Sequence, residues 1–272
     1  MSVVREYYDA KAEAEWTRLE RHRVEHAITL RALEEHLPQP PADVADIGGG
    51  PGRYAIELTR RGYVVTLSDL SERCLDLARA QACEAGAELA RVLQADARDL
   101  GELTDESFDA VLLMGPLYHL LEHEERLRVV REAVRVLRPG GVVFSAIISR
   151  YAPLHYAAAA APEHVLEHRG EWETIAATGV YRRDQWCGGF IDAWFAHPTE
   201  LAPLMGAGGF EQLDLLACEP LVNEIEEKVN ATSGELWDWW QNTLYAIARD
   251  PSLHGSAAHV LYVGRKAEPP VV

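Results

Sequence analysis

Hydrophobic positions along this chain follow two alternating periods, one helical and one extended. Trp16, Leu19, Ala27, Leu30, Leu33 and Leu37 roughly share one helix face over 16–37. Pro38, Pro40 and Pro41 then stop that helix, because proline has no backbone N–H and clashes with the preceding turn. The apolar run Asp43-Val44-Ala45-Asp46-Ile47 predicts a strand, followed by a glycine-rich turn, a helix over 54–61 and a second strand over 63–67. The rhythm repeats with a helix over 73–84, strands over 90–94 and 108–114, a helix over 124–137 and a strand over 141–148. Strands alternating with helices through short links predict a mainly parallel sheet covered on both faces.

After Arg150 the rhythm breaks. Residues 151–199 hold an Ala-rich stretch with Trp172, Trp186, Phe190, Trp194 and Phe195 but no strand repeat, which predicts an inserted lid. The pattern resumes with a helix over 198–205, a strand over 210–218, a long helix within 223–249 and a last strand over 259–263. Trp237, Trp240, Leu244 and Ile247 stand at helical spacing and are assigned to packing. The expected organisation is one domain over 1–272. Within it lie an N-terminal helical cover over 1–40, a core over 41–150, a lid over 151–199 and the rest of the sheet over 200–272.

Composition narrows the partners. With 48% hydrophobic, 25% charged and 8% aromatic residues the chain reads as a soluble globular protein. No apolar run reaches the roughly 18 residues of a membrane span, and 1–20 is polar and mixed in charge, unlike a leader. A cytoplasmic location and no membrane partner are expected. The formal net charge of −17 would repel a phosphate backbone, so nucleic acid is not an expected partner. Cys74, Cys83, Cys187 and Cys218 lack C-x-x-C spacing and read as reduced residues. His22/His26, His119/His123 and His164/His168 stand at i,i+4, yet none sits in an H-E-x-x-H motif, and no metal is expected.

The candidate chemistry begins at Gly48, Gly50 and Gly52, directly after an apolar strand and before a helix. Small residues there let a nucleotide-like ligand approach the backbone and the helix N-terminus. Asp69, just past the second strand and followed by Leu70, can accept hydrogen bonds from both hydroxyls of a ribose. Asp96 follows the third strand and can receive the amine of an adenine, or else cap a helix. These positions fall at the carboxyl ends of strands, the edge where open parallel sheets bind ligands. A dinucleotide fingerprint is weakened, because the sixth position is Arg53 counted from Gly48 and Ala55 counted from Gly50.

Asp46-Ile47-Gly48-Gly49-Gly50-Pro51-Gly52, Asp69, Asp96-Ala97, Phe108-Asp109-Ala110-Val111 and Leu137-Arg138-Pro139-Gly140-Gly141 together resemble the successive motifs of class I S-adenosylmethionine-dependent methyltransferases, small-molecule type. The resemblance covers about 42–148 well. It implies a doubly wound α/β fold: a mostly parallel seven-stranded sheet whose last strand is antiparallel. It implies S-adenosylmethionine as cofactor, with Gly48, Gly49, Gly50 and Gly52 near its methionine part, Asp46 near its ammonium group or holding the loop through water, Asp69 on the ribose with Leu70 beside it, and Asp96 with Ala97 at the adenine. Tyr7-Tyr8-Asp9 and Trp16 resemble the helices that fold over the cofactor, which adds Tyr8 to the expected site.

Methyl transfer needs no covalent enzyme intermediate; the protein must align a nucleophile and exclude water. Met114-Gly115-Pro116-Leu117-Tyr118-His119 stands where the family lines the space between cofactor and acceptor. Met114 is thus expected at the cofactor, His119 as a candidate base or a backbone-bonded residue at a helix start, and Tyr118 against the acceptor or the sulfonium. The aromatic lid is expected either to shape the acceptor pocket or to form aromatic core, and Arg182 and Arg183 to meet an anionic substituent or only solvent. The expected activity (EC 2.1.1 class) is methyl transfer to an oxygen or nitrogen of a small-molecule acceptor, specialised metabolites included. The alternatives are a peptide or protein N-methyltransferase and a non-catalytic cofactor-binding regulator.

Overall fold

The computed structural model describes residues 3–183 and 190–267; Trp186 and Cys187 lie outside the described residues. Helices α1 (Val3–Arg21) and α2 (Arg23–His36) precede β1 (Asp43–Ile47), α3 (Arg53–Arg60), β2 (Val64–Asp69), α4 (Glu72–Glu84), β3 (Arg91–Gln94) and β4 (Phe108–Leu113). A 3-10 turn (Pro116–His119), α5 (His123–Val136) and β5 (Leu137–Ile148) complete the first part. The inserted segment forms α6 (Ala152–Ala160), α7 (His164–Glu167), α8 (Arg169–Thr178), β6 (Val180–Tyr181) and β7 (Ala193–Trp194). The chain ends in α9 (Pro198–Gly208), β8 (Phe210–Ala217), α10 (Glu227–Asn230), α11 (Gly234–Ile247), α12 (Pro251–His254) and β9 (His259–Lys266).

Seven strands form one sheet in the order β3-β2-β1-β4-β5-β9-β8, with β9 antiparallel to both of its neighbours. This is the expected doubly wound sheet with an antiparallel last strand. Alternation along each strand divides the core. Ala45, Ile47, Val111, Leu113, Val143 and Tyr262 pack against α5 and α9. Val44, Val65, Leu112, Phe144, Leu261 and Val263 pack against the other layer, which holds Ile28 and Leu33 of α2, Leu58 of α3 and Leu244 of α11.

Several boundaries depart from the sequence pattern for local reasons. The helix expected over 16–37 is two helices, because His22 leaves helical geometry (φ −109°, ψ 58°). α1 then packs on α4, while α2 lies on the sheet. The helix expected within 223–249 is likewise two, α10 and α11, with Gly234 in the left-handed region (φ +57°) at the start of the second. β5 starts at Leu137 rather than 141: Leu137 pairs with Phe108 before the register shifts to Ala110 opposite Val142.

The inserted segment, expected without a clear strand repeat, has the short β6–β7 ribbon as its only strands among the described residues, and a core of its own: Ala157, Trp172, Ile175, Tyr181, Ala193 and Phe195. Arg150 fastens it, pairing with both oxygens of Glu200 at 2.7 Å. Among the described residues no helix is long and apolar enough to cross a membrane.

Candidate functional site

The turn after β1 is shaped by close approach. Gly48 has φ +68°, and a Cβ there would lie 2.5 Å from Pro116 Cγ. A Cβ on Gly49 would lie 2.5 Å from the Asp46 carboxyl group. Gly48 and Gly49 N–H groups donate to the Ser68 carbonyl at 2.7 and 3.2 Å, drawing the loop over the end of β2. Gly52 differs. It precedes α3 and lets that helix pack down, since a Cβ would meet Leu67 Cδ2 at 3.1 Å and Ala78 Cβ at 3.2 Å.

Above this loop, at the carboxyl edge of the strands, lies a cavity of about 470 Å³. Its walls include Tyr8, Asp46, Gly48, Gly49, Gly50, Asp69, Leu70, Asp96, Ala97, Met114, Tyr118 and His119. Of the residues expected at the cofactor, together with Tyr118 and His119, all reach it except Gly52, which packs at the start of α3. Strand parity explains much of the convergence. Asp46 stands two residues after Val44, and Met114 two after Leu112, so both end on the α2 face of the sheet.

Asp46 is 2% exposed, and its Oδ2 has no hydrogen-bond partner among the described residues. Burial, reinforced by Asp69, pushes its carboxyl up to about 7. A buried, unpartnered carboxylate oxygen is costly unless a donor meets it. An ammonium group fits that need.

Asp69 is already arranged by the backbone. Oδ2 accepts the Gly50 N–H and Oδ1 the Ser71 N–H, each at 2.8 Å. Burial raises its pKa against these two bonds. One lone pair remains on each oxygen, a geometry suited to two neighbouring hydroxyls. Asp96 is more engaged, because Arg98 pairs with it at 2.6 Å and Arg98 N–H donates to Oδ1. Its pKa falls: burial opposes the change and the Arg98 contacts outweigh it. Ala97 and Leu70 line the same end of the cavity.

At the other side of the loop, Tyr8 Oη lies 2.7 Å from His119 Nε2 and also bonds to the Tyr118 hydroxyl. Burial lowers the His119 imidazole to about 4, with a weak opposing bond to the Asp192 carbonyl at 3.4 Å. The ring is thus neutral at physiological pH. Nδ1–H points to that carbonyl, and the Nε2 lone pair accepts from Tyr8.

Among the described lid aromatics the packing alternative holds for most. Trp172 and Phe195 fill the core of the insertion, and Trp194 joins the main core. Phe190 lies beside His119 at a tilt, with ring centroids 5.8 Å apart. Arg182, Ile191 and Asp192 are what the insertion gives to the cavity wall, while the Arg183 N–H bonds to Asp192 Oδ1. Trp16 lies under Arg53 and lines a separate cavity of about 290 Å³.

Sequence reasoning missed a polar lobe. Arg18, Glu25, Thr29, Tyr54, Cys218 and His259 line the cavity where α2 meets the start of β9. Arg18 grips Glu25 through two bonds of 2.6 and 2.7 Å. Burial would raise the Glu25 carboxyl, but Arg18 and then His259 outweigh it and leave it at about 2. A charged residue on the apolar face of a helix was the available signal, since a buried Glu is rare without a partner. Among the described residues two groups bring three ligand-type atoms within 4.8 Å: Glu25, Glu219 and His259, and Glu35, His36 and Asp214. In both, arginines already pair with carboxylates, so each reads as an ion-pair network.

Comparison with known proteins gives a consistent picture. Residues 45–145 match a family model described as a methyltransferase domain. The chain is 34% identical over 139 residues to a ubiquinone biosynthesis O-methyltransferase of Paracidovorax citrulli, covering 51% of this chain and 57% of that protein. It is 30% identical over 163 residues to the protein of the same name from Stutzerimonas stutzeri, covering 59% of this chain and 68% of that one. A crystal structure of a SAM-dependent methyltransferase from Methanosarcina mazei superposes with a TM-score of 0.61 at 18% identity, over 88% of this chain and 98% of that one.

Proposed function

We propose, because this chain belongs to the class I S-adenosylmethionine-dependent methyltransferases, that it transfers a methyl group from that cofactor to an oxygen of a small-molecule acceptor. The observation that carries this reading is the continuity of one cavity. It runs from Asp69 and Asp96, past the glycine loop and the orphaned Asp46, to a polar lobe under α1 and α2. Oxygen is favoured over nitrogen because the two relatives above are named O-methyltransferases. A small acceptor fits a cavity of about 470 Å³, and the net charge of −17 disfavours nucleic acid.

In this reading Asp69 receives the ribose hydroxyls, while Asp96, Ala97 and Leu70 border the adenine. Asp46 and the backbone of Gly48, Gly49 and Gly50 hold the methionine part, with Met114 beside it. Bound S-adenosylmethionine supplies an electrophilic methyl group. The protein's own work is alignment and exclusion of water. Tyr8, bonded to His119, closes α1 over the site, and Tyr118 walls the acceptor side. His119 acts here as a clasp and not as the base, since its lone pair is engaged and burial lowers its basicity. The insertion at 151–199 contributes through Arg182, Ile191 and Asp192.

The test is incubation with methyl-labelled S-adenosylmethionine and parallel panels of small phenols and small amines. Label in ethers of the phenols supports the reading. Label confined to N-methyl products refutes the choice of oxygen, and S-adenosylmethionine left intact with every acceptor refutes the proposed activity.

A further inference from the structure

We infer that His259, oriented by Glu219 and lining the polar lobe of the cavity, is the proton acceptor for the acceptor hydroxyl through its Nε2. The inference rests on the oxygen-transfer reading above. His259 opens β9, next to the ends of β5 and β8: it pairs with Ile148, and its carbonyl accepts the Cys218 N–H at 2.9 Å. It stands two residues before Leu261, so its side chain lies on the same sheet face as Asp46 and Met114. Two strand spacings separate β4 from β9, about 10 Å. A ring-sized acceptor fits between the loop after β4 and this imidazole.

The side chain is held from one end. Glu219, 2% exposed, accepts the His259 backbone N–H at 2.9 Å and faces Nδ1 at 2.7 Å. Glu25 approaches the same nitrogen at 3.6 Å. Nδ1 therefore keeps its hydrogen, and the lone pair of the neutral ring belongs to Nε2, which has no hydrogen-bond partner among the described residues. This leaves the carboxylate–imidazole order expected of a base with an orienting group.

The surroundings suit an imidazolium product. Burial opposes protonation of His259, yet Glu25 and Glu219 outweigh it and hold its pKa above the ordinary value, with Arg18 opposing. Thr29, Tyr54 and Cys218 complete the lobe. In the transfer, the acceptor oxygen gains its bond to the methyl carbon as the carbon–sulfur bond breaks and leaves its electron pair on sulfur. The hydroxyl proton passes to Nε2, and the positive charge moves from sulfonium to imidazolium.

The test uses the full chain with S-adenosylhomocysteine and 4-nitrocatechol, whose absorption band moves when its hydroxyl ionises, alongside turnover of small phenols. Wild type should bind the probe in its ionised form at a pH where free probe is neutral. His259→Gln should bind S-adenosylhomocysteine as wild type does, lose the ionised band and lose roughly 100-fold or more in turnover. A variant that keeps both band and rate overturns the assignment of His259 alone. Wild type that methylates no phenol refutes the oxygen reading and the base with it. Should His259→Gln fail to bind S-adenosylhomocysteine, Glu219→Gln carries the test: the pH at which bound probe ionises must change, and an unchanged threshold overturns the proposal.

Discussion

Tyr8 Oη meets His119 Nε2 at 2.7 Å across 111 positions of sequence, tying the first helix to the turn after β4. The bond closes the cavity on the side away from the sheet. Tyr8→Phe should keep the fold and weaken S-adenosylhomocysteine binding roughly 2- to 10-fold, the range of one hydrogen bond. Calorimetric titration checks this. An unchanged affinity means that α1 does not cover the ligand.

His119 is held neutral, at about 4, by burial. His119→Ala should therefore lower turnover by loosening α1 while leaving the acid limb of the pH–rate profile in place. A limb that disappears with His119 would restore this residue as the base.

Asp46 sets a pH dependence of the opposite kind. Burial raises its carboxyl to about 7 in the ligand-free fold, against about 4 in an unfolded chain. Between those values the folded protein holds the extra proton, so this group's contribution to stability falls as pH rises. An ammonium beside Asp46 reverses the preference and expels the proton. Cofactor affinity should rise with pH and level off above about 7, and Asp46→Asn should flatten the slope. Titrations across pH read both; a flat wild-type profile separates Asp46 from the ammonium.

Gly48→Ala places a Cβ 2.5 Å from Pro116 and forces a side chain onto φ +68°. The left-handed conformation alone costs about 1–2 kcal/mol. We expect a lower Tm and loss of S-adenosylhomocysteine binding, whereas Gly50→Ala, with open space around it despite φ +55°, should be milder. Equal behaviour of the two variants contradicts this account of the loop.

Gly179 ends α8 at φ +74°, and a Cβ there would lie 2.0 Å from the Phe195 carbonyl oxygen. Gly179→Ala should destabilise the insertion by about 2–4 kcal/mol. Hydrogen exchange should accelerate in α8 and β7 first, leaving β1 and β4 protected. Uniform acceleration would show that the insertion unfolds only with the sheet.

The doubly wound core was legible because its signals are local. An apolar run before Gly48 and carboxylates after successive strands fix where each motif falls on the sheet edge. The break at His22 was not legible, since the apolar stripe continues across it and only the packing of α1 on α4 decides the bend. The lid aromatics stayed open between pocket wall and core for a related reason: Trp172 and Trp194 satisfy either, and hydrophobicity does not say which side they face. The Arg18, Glu25, Glu219 and His259 lobe joins α1, α2 and the final hairpin, segments up to about 240 positions apart that no spacing rule connects.

Titration of S-adenosylhomocysteine into wild type and Asp69→Asn, with NADH in parallel, tests the central claim most directly. The account predicts saturable binding of S-adenosylhomocysteine by wild type, no response to NADH, and roughly 10- to 100-fold weaker binding by the variant as charged hydrogen bonds to the ribose are lost. Binding of NADH alone, or S-adenosylhomocysteine affinity untouched by Asp69→Asn, would contradict it.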